Sequence, residues 1–213
     1  MIRSGDYVFD ISGELAMFTT PDSKLNCECM SYPFPTYSSI VGMLNRIYRV
    51  KGIIWVPDAI RVMNPIRYID IHKFTPSYSV VNNRARQRFV FSYLEDPRYQ
   101  VRAHYELDGA YIYSKDYNFN HDSNIRREII MGGHRNISLG RHECLGHIRP
   151  AIWGNGDGYY DYSGESEEYH IFYKFEYNRR INGHIKYATF ALQKMVDGVI
   201  DFNKDMPKVS RKW

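Results

Sequence analysis

The sequence predicts an α+β protein in which antiparallel strands dominate. Most of its apolar stretches alternate with polar residues at a period of two, the signature of half-buried strands. One stretch, Tyr37 to Tyr48, keeps helical spacing instead, and a second, weaker helical segment lies between Asn124 and Met131. With 44% apolar and 24% charged residues over 213 positions, the chain has enough material for a sizeable soluble core.

The elements follow in order. Residues 6–19 read as a first strand, opened by Tyr7-Val8-Phe9-Asp10-Ile11 and closed by the turn signal Pro21-Asp22-Ser23. Thr36, after Pro33 and Pro35, is a good N-cap for the first helix, whose apolar residues are Ile40, Val41, Leu44, Ile47 and Tyr48. Gly42, Ser38 and Ser39 on that helix permit close approach of a sheet or an RNA backbone, and Gly52 is expected to end it. Three strands, 53–56, 59–63 and 66–71, are separated by Pro57 and Pro65, and the polar, basic residues 72–86 suggest an exposed hairpin or loop. Gln87–Leu94 and Tyr99–Leu107 alternate and are expected to pair through the turn Glu95-Asp96-Pro97-Arg98. Ser123 or Asp122 is expected to cap the second helix, with Gly132-Gly133 ending it. A strand leads up to Pro150, a glycine-rich surface loop covers 153–166, and strands at 169–177, 185–193 and 199–202 complete the chain. The order strand–helix–strand–strand–helix–strand fits a ferredoxin-like (RRM-like) domain over 1–150 with an inserted β-hairpin, followed by a small antiparallel β extension over 151–213.

Charge is distributed unevenly around a net +4. Arg84, Arg86, Arg88, Arg98 and Arg102 stand against Glu95 and Asp96, and Arg126, Arg127, Arg135, Arg141 and Arg149 against Glu128 and Glu143. An acidic island, Asp157 to Glu168, separates the second cluster from a basic tail. Charge clusters are most often solvated faces. Here Phe89, Phe91, Tyr93 and Tyr99 are interleaved with the arginines, the combination that holds single-stranded nucleic acid by stacking and by charge. Three cysteines, Cys27, Cys29 and Cys144, are too few for a disulfide framework, and no apolar leader opens the chain, so a cytoplasmic, reducing location is expected. His134, His142, Cys144 and His147 fit no zinc spacing, and neither a resident metal nor a nucleotide-binding glycine loop is expected.

Six motifs in order carry a resemblance. They are Glu14 to Pro21 with its Phe18-Thr19-Thr20-Pro21 ending; Ser31 to Thr36 leading into Ser39–Tyr48; Trp55 to Asn64-Pro65-Ile66; Gln87-Arg88 with Ala103 to Leu107; Leu139 to Cys144; and Met195 to Ile200. Together they resemble the fifth family of CRISPR-associated proteins, in its subtype I-C form, across nearly the whole chain. The resemblance implies an RRM-like protein that binds CRISPR repeat RNA and cuts the precursor as a metal-independent endoribonuclease. It also implies that the protein keeps the 5′ handle of the product within a type I interference complex, beside the backbone and large subunits. It implies a catalytic tyrosine at the end of the first helix, matched by Tyr48, and a lysine–histidine pair before the second, matched by Asn120 and His121 with asparagine in place of lysine. Arg46, Arg84, Arg86, Arg88, Arg126, Arg127 and Arg135 are the expected RNA contacts, and Lys115 or an arginine is a candidate for the missing charge. The alternative is a non-catalytic subunit that binds the 5′ handle without cutting, which the missing lysine favours; an RRM-like protein of unrelated RNA metabolism is a third reading.

Metal-free RNA cleavage uses the substrate's 2′-hydroxyl as nucleophile and asks the protein for a base, an acid and positive charge at the phosphorane. Histidine serves either proton role near neutral pH, which suits His121; the plain alternative is a loop histidine. Tyr48 shares a helical face with Leu44 and Val41, so its plain alternative is a core tyrosine.

Overall fold

The computed structural model describes residues 2–20, 28–76, 86–108, 120–164, 166–177, 185–202 and 207–212. Its strands are β1 (Ile2–Arg3), β2 (Tyr7–Ser12), β3 (Leu15–Ala16), β4 (Glu28–Met30), β5 (Ile53–Val62), β6 (Tyr68–Pro76), β7 (Arg86–Glu95), β8 (Arg98–Leu107), β9 (Ile137–Ser138), β10 (Leu145–Pro150), β11 (Ser166–Tyr177), β12 (Ile185–Val196), β13 (Val199–Asp201) and β14 (Lys208–Lys212). Two helices, α1 (Tyr37–Ile47) and α2 (His121–Ile130), stand among them. The class is α+β, as expected. No helix among the described residues is long and apolar enough to cross a membrane.

One large sheet runs β11-β12-β13-β5-β8-β2-β10-β9, with β1 added to β8 and β14 to β12. Within it β5, β8, β2 and β10 are neighbours in that order, and every pairing among them is antiparallel. β8 is the central strand and is buried on both faces: Tyr99, Val101, Ala103 and Tyr105 on one side, Gln100 and His104 on the other. The helices cover the apolar face. Ile40, Met43, Leu44 and Ile47 recur along α1 at the spacing that makes one stripe, and all are buried. α1 packs on β5 and β9, α2 packs on β10 through Ile125 and Ile129, and the two helices touch each other. Burying each such side chain contributes about 1.5–3 kcal/mol, which sets this layer as the main source of stability.

The opposite, polar face is closed by residues 151–164. Arg61 projects from β5, is only 6% exposed, and donates to the Asp161 carboxylate and to the carbonyls of Gly156 (2.9 Å) and Asn155 (3.5 Å). Gln100, opposite Arg61 on β8, donates to the Asn155 carbonyl at 2.7 Å and accepts from the Gly154 N–H at 3.0 Å. Arg102 lies 4.7 Å from the Trp153 ring. The stretch is the glycine-rich surface loop expected, with one contact sequence reasoning missed: a buried cation needs a partner, and Asp161 supplies it. The Arg61 hydrogen bond is the main cause holding the Asp161 carboxyl below its ordinary range.

A second, smaller sheet has the order β3-β7-β4, with β6 along the other edge of β7. Here the expected β7–β8 hairpin is corrected. The turn at residues 95–98 exists, with Asp96 at φ 45°, yet the strands it joins enter different sheets. β7 pairs with β6 from Tyr68↔Leu94 to Pro76↔Arg86, antiparallel with β3, and parallel with β4. Of the two readings of residues 72–86, hairpin or loop, the antiparallel pairing of 72–76 with 86–90 agrees with the hairpin, and 77–85 lie outside the described residues.

Smaller corrections concern boundaries. The first strand breaks after Ser12 and resumes as β3. Pro57 does not split β5; it produces a register shift between Pro57 and Ala59. Helix α1 ends at Ile47 with Tyr48 as C-cap, and Gly52, at φ 90°, serves the turn beyond it. Helix α2 begins at His121 with Asn120 as N-cap, not at Asn124 after Ser123 or Asp122. The tail adds β14, which sequence reasoning missed.

Candidate nucleic-acid site

Residues 48 and 121 are 73 positions apart and meet where the end of α1 faces the start of α2. Tyr48 Oη lies 2.9 Å from His121 Nδ1. Each is held by its own element. Tyr48 follows the last turn of α1, its N–H donating to the Leu44 carbonyl at 3.0 Å and its carbonyl accepting from Trp55 Nε1 at 2.8 Å. His121 is the first residue of α2 and is 6% exposed, so its ring is packed rather than free in a loop. Burial raises the Tyr48 pKa, with a side-chain hydrogen bond from Asn124 acting the other way. Tyr48 is therefore protonated near neutral pH, and the tautomer of His121 sets which of the two groups donates in their hydrogen bond.

Asn120 has a structural task. Its Oδ1 accepts from the Ser123 N–H at 3.1 Å, the N-cap bond that satisfies one of the helix's unpaired donors. Asp122, in the first turn, accepts from the hydroxyls of Tyr7 and Tyr105, the latter at 3.0 Å. Those tyrosines stack on each other with centroids 6.1 Å apart, and Trp55 meets both edge-on. Burial first, then the hydrogen bond to Asp122, pushes Tyr105 up to about 12, and the same two causes raise Tyr7. The start of α2 is thus bolted to β2 and β8 through one carboxylate. Sequence reasoning missed Asp122, Tyr7 and Tyr105; the inward period of Tyr7-Phe9-Ile11 was visible, but what its hydroxyl would meet was not.

Cations surround the pair. Arg127 acts electrostatically on Tyr48, and the Arg126 guanidinium lies 5.8 Å from the Tyr7 ring. Arg46 sits in the last turn of α1, its carbonyl accepting from the Arg135 N–H at 3.2 Å. Tyr48, Asn120 and His121 therefore come together where α1 ends and α2 begins, and, of the expected cations among the described residues, Arg127 is the one with a shown electrostatic effect on Tyr48. Arg88 lies elsewhere, on β7 in the second sheet, 3.1 Å from the His72 ring nitrogens. Arg86 opens that strand, while Arg84 and Lys115 lie outside the described residues.

Other reactive groups have ordinary explanations. Cys144 is buried, and burial with the nearby Glu143 pushes its thiol up to about 11, so it is not a nucleophile. Among the described residues, the cluster of potential ligand atoms within 4.8 Å of one another is Asp6, Asp58 and His104, away from the Tyr48–His121 pair. Arg3 faces both carboxylates, at 3.0 and 3.6 Å, and His104 Nδ1 lies 2.8 Å from Asp58, so these atoms already have protein partners.

Comparison with known proteins adds four findings. A family model described as CRISPR-associated protein (Cas_Cas5) matches residues 6–203. A protein of Mannheimia succiniciproducens named CRISPR pre-crRNA endoribonuclease Cas5d is 33% identical over 109 residues, a match that spans 48% of this chain and 48% of that relative. A crystal structure of a CRISPR-associated protein superposes with a TM-score of 0.76 at 23% identity, covering 100% of this chain and 99% of that one. The functionally uncharacterized protein SMU1763c from Streptococcus mutans superposes with a TM-score of 0.75, also at 23% identity and over 100% of both chains. The two structural likenesses show a shared fold.

Proposed function

The chain belongs to the Cas5 family of CRISPR-associated proteins, and from that premise we propose that it binds CRISPR repeat RNA and cuts the precursor at the pair Tyr48–His121. The observation that carries this reading is the 2.9 Å contact between Tyr48 Oη and His121 Nδ1, made across 73 residues where the end of one helix meets the start of the other. The name of the Mannheimia relative supports the same class of activity.

The chemistry follows from the groups present. The substrate's 2′-oxygen attacks the adjacent phosphorus and loses its proton to a base; the bond from phosphorus to the 5′-oxygen breaks, and an acid protonates that oxygen. The products are a 2′,3′-cyclic phosphate and a 5′-hydroxyl. In the tautomer whose Nδ1–H donates to Tyr48 Oη, His121 takes the 2′-hydroxyl proton at Nε2 and then gives a proton from Nε2 to the leaving 5′-oxygen; Tyr48 holds the ring in place and orients the 2′-hydroxyl, and Arg126 and Arg127 supply charge as the phosphorane forms. No step in this sequence requires a metal ion. The β5-β8-β2-β10 order, with one helix between β2 and β5 and another between β8 and β10, supports the ferredoxin-like reading of residues 1–150, with 151–213 as an extension of the same sheet. The product's 5′ handle stays bound, and the protein joins the backbone and large subunits of an interference complex.

One observation favours a second reading, a subunit that binds the handle without cutting: Asn120 caps α2 and brings no charge where the family has lysine. Incubation of cognate repeat RNA with the protein in EDTA separates the two. Cleavage that His121→Ala slows by ~10²–10⁴-fold while leaving binding intact supports the first. Tight binding without cleavage establishes the second.

A further inference from the structure

Three adjacent strands each contribute one buried aromatic residue to a single row: Tyr7 from β2, Tyr105 from β8 and Trp55 from β5. Trp55 is directly opposite Tyr105 in the β5–β8 register, and Tyr7 is opposite Ala103, two residues away along β8. Tyr7 and Tyr105 stack at 6.1 Å, and Trp55 meets them edge-on at 5.8 and 6.0 Å. The row reaches both halves of the Tyr48–His121 pair. Trp55 Nε1 donates to the Tyr48 carbonyl at 2.8 Å. The hydroxyls of Tyr7 and Tyr105 both donate to one oxygen, Oδ1, of Asp122, the residue that follows His121. The Tyr105 ring also meets the His121 ring edge-on, with centroids 6.4 Å apart.

Packing alone asks for rings at positions 7 and 105, not for hydroxyls. Phenylalanine would fill the same space, and a buried hydroxyl is a cost until it is bonded. Asp122 is exposed, so water would serve its carboxylate without them. What the two hydroxyls add is direction. Helix α2 rests on β10 through Ile125 and Ile129, and apolar contacts of that kind are non-directional and tolerate small slides and rotations. The Asn120 cap bond lies within the helix and fixes nothing relative to the sheet. Two hydroxyl–carboxylate bonds from two strands set both the place and the rotation of the first turn of α2, and His121 stands on that turn.

We propose that Tyr7 and Tyr105 are positioning residues for RNA cleavage, holding His121 against Tyr48 through Asp122 while Trp55 of the same row holds Tyr48. The proposal rests on the cleavage reading above and names what keeps its geometry productive. Proton transfer requires hydrogen-bond reach, and a misplacement of about 1 Å costs up to ~10²-fold in rate.

The test removes hydroxyls and leaves rings. Tyr7→Phe/Tyr105→Phe should bind cognate repeat RNA as the wild type does and cut it about 10–100-fold more slowly in single-turnover assays at saturating protein. Arg61→Ala, destabilised on the opposite face of the sheet, should cut at the wild-type rate below its Tm, which separates positioning from lost stability. In the RNA-free protein the His121 ring signal in heteronuclear NMR, assigned by its absence from His121→Ala, should shift and broaden in the double variant and stay in place in Arg61→Ala. If thermal melting shows that the double variant does not fold, Tyr105→Phe alone should give the same changes at smaller size. A wild-type cleavage rate in the folded Phe variants, equal slowing by Arg61→Ala, or slowing with the His121 signal unmoved overturns the proposal. A wild type that binds RNA and never cuts in EDTA removes the cleavage reading alone. The NMR signal then decides the positioning by itself: one that moves in the double variant upholds it, and one that stays overturns it.

Discussion

Asn120→Lys tests the cap and the chemistry in one substitution. The lysine restores the charge that the resemblance associates with cleavage, but it also removes the Oδ1 that accepts from the Ser123 N–H at 3.1 Å. Loss of an N-cap of this kind costs about 0.5–2 kcal/mol. A cation at the positive end of the helix dipole adds about 0.3–1 kcal/mol against the fold, partly offset by the neighbouring Asp122 carboxylate. The net is about 1–2 kcal/mol, and at about 2–4 °C per kcal/mol for a chain of this size the Tm should fall by roughly 2–8 °C. Asn120→Asp is the matched control, because it keeps the acceptor and brings a charge the dipole favours; its Tm should equal or exceed the wild type. Differential scanning calorimetry gives both values, and single-turnover cleavage in EDTA at a temperature well below the lower Tm gives the rate. Faster cleavage by a less stable Asn120→Lys protein is the expected pair of results. An unchanged Tm for Asn120→Lys would refute the cap; slower cleavage by a folded protein would refute the idea that charge is what position 120 lacks.

Three further outcomes are expected. Arg61→Ala removes the cation paired with Asp161 and a donor to the Gly156 carbonyl, while the Asn155 carbonyl keeps its bond from Gln100 and Asp161 its bond from the Gly158 N–H; one partner of a largely buried pair removed costs about 3 kcal/mol at the lower end of such cases, because Asp161 is 22% exposed, and urea unfolding should show a lower midpoint. Gly42→Ala, on an exposed and unobstructed helical position, should raise stability by about 0.5–1 kcal/mol in the same assay. Tyr37 and Tyr105 have folded-state pKa values pushed up to about 12 from 10.0, so the stability they contribute is complete below pH 10 and lost as pH rises through 12. Alkaline unfolding monitored by tyrosinate absorbance should therefore lag free tyrosine, and Tyr105→Phe should reduce that lag; titration coincident with free tyrosine would count against the burial of these hydroxyls.

What could be read from the sequence depended on how local the cause was. Helix α1 and its Thr36 cap were legible because period and cap lie within twelve consecutive residues, and the cap bond, Ser39 N–H to Thr36 Oγ1, is there at 3.2 Å. The start of α2 was not, because Asn120, Asp122 and Ser123 are all good cap residues and the buried residue between them is a histidine. Alternation identified β7 and β8 correctly as strands but carries no information about partners; β7 finds its own at residues 68–76, 15–16 and 28–30 rather than across the turn that suggested β8. Arg61 sits between Ile60 and Val62 and gives no local sign that its countercharge is 100 residues away. Tyr48 and His121 were singled out through the family resemblance, since nothing in spacing relates two residues so distant.

The pairing of β2 with β10 and of β5 with β13 has a consequence for how the protein is made. Each pair joins residues well over a hundred positions apart, Ile11 with Ile148 and Ile60 with Ile200. As the chain leaves the ribosome, β5, β8 and β2 can zip together early, but both flanks of that three-strand unit stay open until much later segments arrive. At about 5–20 residues per second, the flank of β5 waits roughly 5–20 s after β8 is made for β13. During that interval an unsatisfied row of N–H and C=O groups faces the cytosol and invites pairing with other nascent chains. Yield on overexpression should therefore respond to translation speed and chaperone supply more than to the stability of the finished fold.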